Sequence, residues 1–77
     1  MSRKSDLKRA IEESEAEIAL LEQRCNRPQS ALLQALLEHR KPNETDEEYF
    51  RVYSQLIELE RANLRKLKAE LKELEGK

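Results

Sequence analysis

Apolar residues recur at alternating three- and four-residue steps along nearly the whole chain, and the repeat is reflected about Pro42-Asn43. Upstream, the spaced positions are Leu7, Ile11, Ser14, Ile18, Leu21, Cys25, Pro28, Leu32 and Leu36; downstream they are Phe50, Tyr53, Ile57, Glu60, Leu64, Leu67, Leu71 and Leu74. A step averaging 3.5 residues places these side chains on one stripe of an α-helix. The position numbers of Ile11 and Leu74, Ser14 and Leu71, Ile18 and Leu67, Leu21 and Leu64, Cys25 and Glu60, and Leu32 and Tyr53 all add to the same value. A chain folded back at residues 42 to 43 brings such mates together. The pattern predicts an all-α fold, an antiparallel helical hairpin of coiled-coil type forming one domain over residues 1–77.

Local signals set the expected boundaries. Ser5 is the expected N-cap of the first arm, with Asp6 in the first turn where the helix dipole favours a carboxylate. The arm runs over about 5–40, kinked or broken near Pro28, because an interior proline has no amide to donate and its ring crowds the preceding turn. Residues 41–45 form the expected turn, since the residue before Pro42 avoids helical backbone angles and Asn43 favours turns. Thr45-Asp46-Glu47-Glu48 reads as a capping box opening the second arm over about 46–75. At about 1.5 Å per residue that arm is roughly 45 Å long.

The seam is narrow at the open end and wide near the turn. Toward the termini, Glu13, Glu15 and Glu17 are expected to face Lys66, Lys68 and Lys72, pairs that set register more than they stabilise. Near the turn, Leu32, Leu33, Leu36, Leu37, Tyr49, Phe50, Val52, Tyr53, Leu56, Ile57 and Leu59 make a stripe wider than one facing helix covers. The excess residues, Leu33, Leu37, Tyr49, Val52, Leu56 and Leu59, are therefore the expected partner-binding side chains. Half a dozen of them left wet, at about 25 cal/mol per Å², represent several kcal/mol of association energy. A protein partner or a second copy in a homodimer is expected to cover them.

Composition narrows the picture without naming a job. Charged residues make up 40% and aromatics 4% of the 77 residues, as in long solvated helices. A net charge of -1 lacks the positive excess expected of a nucleic-acid binder. No run of about 18 apolar residues is present for membrane insertion, and the single Cys25 suits a reducing compartment, so the expected location is cytoplasmic. Cys25 reads as a small filler on the seam and His39 as a helix-end histidine without ligand-spaced companions. Asn43-Glu44-Thr45 matches a glycosylation sequon but reads as turn and cap, and the acidic Glu44, Asp46, Glu47 and Glu48 as helix N-terminal charge. With no glycine loop, triad or metal cluster, neither enzyme activity nor a cofactor is expected.

Tyr49 early in the second arm, the step Leu59-Glu60-Arg61-Ala62, and Leu7 seven residues before Ser14 resemble the small E component of bacterial type III secretion needle chaperones. That resemblance covers most of the chain. It implies a cytoplasmic co-chaperone that joins a helical-repeat chaperone and, with it, keeps a polymerising needle subunit soluble. Arg27-Pro28 in the first arm and Tyr49 after the tip resemble the N-terminal coiled coil of Gre-type transcript-cleavage factors, which implies a hairpin entering the RNA polymerase secondary channel. Here Lys41-Pro42-Asn43 stands where that family carries a Gly-Asp-Leu-type tip.

Overall fold

Long stretches free of glycine, rich in Leu, Glu, Lys, Arg and Ala, favour helix at nearly every position. The computed structural model describes residues 2–76 and contains two helices, α1 (Arg3–Leu37) and α2 (Glu44–Glu75). They pack against each other as an antiparallel hairpin with principal extents of 56 × 18 × 16 Å. The predicted all-α hairpin is the observed architecture.

The helix ends differ from the expected ones in ways the backbone explains. Ser2, not Ser5, caps α1: its hydroxyl accepts the Ser5 amide at 3.1 Å, while the Asp6 amide donates to the Ser2 carbonyl at 3.1 Å. α1 stops at Leu37 rather than Arg40. There the His39 amide donates to the Leu36 carbonyl at 3.2 Å and the Arg40 amide to the Ala35 carbonyl at 2.8 Å. His39 sits at φ 55°. These two bonds around one left-handed residue form a Schellman stop, a position where glycine is usual. Asn43 caps α2, its side chain accepting the Thr45 amide at 2.7 Å. Thr45 therefore lies inside the helix, and the expected capping box is not formed.

Pro28 neither ends nor divides the first arm. α1 continues through it, and the proline is buried on the seam. Its missing amide leaves one carbonyl of the preceding turn without a helical donor, while its ring fills a seam position that an aliphatic side chain would otherwise hold. One heptad further on, the seam position is Ala35, 2% exposed, and not Leu36, which is 70% exposed. The repeat 7, 14, 21, 28, 35 thus persists to the end of the helix, and its last member is small enough for the chain to reverse tightly.

The arms meet in a register about one heptad away from the expected one. Leu21, Cys25 and Ile57 form the buried centre, with Phe50 and Tyr53 packed on it. Glu60 does not face Cys25. Its carboxylate accepts the Ser14 hydroxyl at 2.8 Å and the Asn63 side-chain amide at 2.7 Å. The ion pairs crossing the hairpin are displaced in the same direction, by two residues for Arg61 with Glu22 at 2.9 Å and for Lys68 with Glu15 at 3.8 Å, and by more for Lys4 with Glu75 at 3.6 Å and Arg3 with Glu70 at 2.6 Å. Each joins an α1 residue to one nearer the turn than the expected pairing had it. Of the anticipated acid-base facing, Glu15 with Lys68 is formed, whereas Glu13 and Glu17 border Asn63 and Leu67. The apolar pattern is nearly unchanged by a seven-residue slide, so a polar contact can select among registers. Ser14, 4% exposed and hydrogen-bonded, is such a contact.

Candidate interaction surface

All six residues expected to bind a partner are exposed. Leu33 is 55% exposed, Leu37 67%, Tyr49 55%, Val52 37%, Leu56 41% and Leu59 69%. They do not form one continuous stripe, however, because folding back sends the two wide edges to different sides. One groove between the helices is lined by Asn26, Gln29, Ser54 and Arg61, and another by Ala10, Glu13, Glu17 and Asn63. Residues seven apart on a helix share a side. Leu33 and Leu36, one heptad beyond Asn26 and Gln29, flank the first groove. Tyr49 and Leu56, two heptads and one heptad before Asn63, flank the second. Leu37, two residues past buried Ala35, is turned through about 200° and lies on the outer side of α1.

The second side is therefore the apolar one. On it Tyr49, Val52, Leu56 and Leu59 follow one another at steps of three, four and three residues. Each immediately precedes a residue of the seam packed on α1, namely half-buried Phe50, Tyr53 and Glu60 or buried Ile57. A one-residue offset rotates the set by about 100° from the face that meets α1. α2 thus carries two seams, one filled by its own hairpin and one bare. The Tyr49 and Tyr53 rings, 6.3 Å apart between centroids and 24° between planes, tie the bare seam to the packed one at the turn end. Leu20 of α1, one heptad past Glu13, borders this side and is 39% exposed. The linear pattern does not single it out, because one leucine beside the seam residue Leu21 is unremarkable until the arms are placed.

The first side is polar at mid-hairpin, where the Arg61–Glu22 pair spans the groove. Leu33 and Leu36 form a small patch beside it. At the tip, Glu48 accepts a hydrogen bond from the Arg51 guanidinium, and that bond with the arginine's charge draws its carboxyl below the ordinary carboxylate value. Glu38 is lowered in the same sense, first by the Gln34 side-chain amide and then by Arg40. Among the described residues no three His, Cys, Asp or Glu side chains are grouped as a metal site would require, and no helix is long and apolar enough to cross a membrane. The chemistry this surface offers is burial of apolar side chains against another helix. Compared with protein-family models, curated proteins and solved structures, the chain matches none.

Proposed function

We propose that this hairpin is a non-enzymatic protein-interaction module, acting as a cytoplasmic co-chaperone that docks on a helical-repeat partner and helps keep a type III secretion needle subunit soluble. The observation that carries the reading is the bare seam Tyr49, Val52, Leu56 and Leu59 on a helix whose other seam is already filled. An exposed heptad row of this kind fits the concave face of a helical-repeat protein, where apolar anchors at helical spacing enter a groove. The small size of the hairpin supports the same conclusion, since a chain of 77 residues buries few side chains fully and gains stability from whatever covers it.

The test is titration of the purified hairpin with a helical-repeat needle chaperone from the same host, followed by solubility of the needle subunit in the presence of both. Leu56→Asp should abolish complex formation while the isolated variant keeps its helical circular dichroism. Leu37→Asp, on the outer side of α1, should bind as the parent does. Absence of binding by the unmodified hairpin removes the co-chaperone role, and equal binding by Leu56→Asp removes the bare seam as its site.

A further inference from the structure

We infer that the partner helix seated on the bare seam is acidic toward the turn of the hairpin and basic toward its open end, and that charges on α1 fix this polarity. The inference rests on the bare seam being the docking face and adds which helix fits it and which way round. On the side where Tyr49, Val52, Leu56 and Leu59 lie exposed, α1 carries a row of its own: Glu13, Glu17, Leu20, Arg24 and Arg27, at steps of four, three, four and three residues. Glu13 and Glu17 border the groove that Asn63 lines from α2. Counting from there toward the turn in heptads keeps the two arms in step. Arg24, one heptad past Glu17, comes level with Leu56, one heptad before Asn63; Arg27, two heptads past Glu13, comes level with Tyr49. The face thus has an apolar wall on α2 and a charged wall on α1, negative toward the open end and positive toward the turn, with Leu20 between.

All four charges are exposed, and among the described residues none of them is ion-paired. On the opposite side of α1, by contrast, Glu15 and Glu22 are taken by Lys68 and Arg61. Setting Glu13 four residues from Glu17, and Arg24 three from Arg27, costs a little helix stability, because like charges at these spacings repel. A helix laid on the apolar wall passes one edge along this row. Carboxylates on that edge meet Arg24 and Arg27, and ammonium groups meet Glu13 and Glu17; turned end for end, every contact becomes a repulsion. Four exposed pairs of ordinary strength together favour one direction about tenfold.

The probe that tests this is a synthetic helix of about 20 residues, with leucines at alternating three- and four-residue steps flanked by glutamates in one half and lysines in the other. Bound to the isotope-labelled full chain, a nitroxide on its acidic end should broaden the amide resonances of Arg27, Ala31 and Gln34 and spare those of Ala10 and Glu13. Moving the nitroxide to the basic end should exchange the two sets. A variant carrying Glu13→Lys, Glu17→Lys, Arg24→Glu and Arg27→Glu should keep its helix content and reverse the pattern, while Leu56→Asp should weaken binding at least about tenfold. Salt at about 1 M should erase the preference and leave the binding. Equal broadening of both sets, or a pattern that the charge exchange leaves unchanged, overturns the polarity while the seam stands as the docking face. Absence of binding to the parent chain also overturns it, and titration with a needle chaperone decides the co-chaperone reading separately.

Discussion

The polar layer at Ser14 and Glu60 should decide the register of the hairpin, and removing it should let the arms slide by one heptad. The perturbation is the double substitution Ser14→Ala with Glu60→Leu. In the native register the Ser14 hydroxyl is buried and donates to a carboxylate at 2.8 Å. A hydrogen bond to a charged group contributes about 1.5–3 kcal/mol, and partial exposure of Glu60 brings this toward the lower end. In the slid register Glu60 would lie against Cys25, where nothing replaces the bond it accepts from Ser14, while the bond from Asn63 on the same helix is kept. The selective preference attributable to this layer is therefore about 1–2 kcal/mol, a factor of roughly 5 to 30 between registers. The leucine introduced in place of Glu60 would meet the apolar seam equally well in both registers. Overall stability should then hold or rise while uniqueness falls, as when a buried polar group is removed from a coiled coil. Spin labels at Arg3 and Glu70, in a Cys25→Ala background, report the outcome by pulsed electron resonance. The native pair is adjacent, with 2.6 Å between charged atoms. A slide of seven residues separates the labels by a further ~10 Å. The variant should show a second, longer distance population that the parent lacks. A single unchanged distribution would refute the reasoning and move register control to the turn.

Three further outcomes follow from the same structure. His39→Gly should stabilise the hairpin by about 1 kcal/mol, since His39 holds a left-handed conformation that glycine adopts without the Cβ penalty. Thermal unfolding should then shift upward by roughly 4–8 °C for a domain of this size. Pro28→Ala should raise stability by about 1–2 kcal/mol, as the ~3 kcal/mol handicap of an interior helical proline outweighs the packing its ring provides; urea titration measures it, and a loss of stability would show that the ring's seam contacts dominate. The Glu60 carboxyl is drawn below its ordinary value of 4.5, first by the Asn63 amide and then by the Ser14 hydroxyl. A lowered folded value means its contribution is complete above the unfolded value and lost as pH falls through the folded one. Stability should therefore decline below pH 4.5 less steeply in Glu60→Gln than in the parent, as acid titrations followed by circular dichroism will show.

Most of the architecture was legible from residue order. Two helices, their antiparallel return, the seam positions of α2 and the exposure of Leu33, Leu37, Tyr49, Val52, Leu56 and Leu59 follow from heptad spacing, because a helix converts sequence separation directly into angle. Capping was less legible, since Ser2 and Ser5, or Asn43 and Thr45, compete for one role and the difference amounts to a single hydrogen bond. What only the tertiary structure decided was the relation between the arms. A heptad pattern repeats under a seven-residue slide, so periodicity leaves register open; in the folded hairpin Ser14 meets Glu60 and the first arm is stopped before a left-handed His39. Whether the wide turn-proximal stripe was one surface or two was equally beyond the linear pattern. Each helix wheel shows where its own edges lie, but only the antiparallel packing sends the Leu33 edge to one side and the row from Tyr49 to Leu59 to the other.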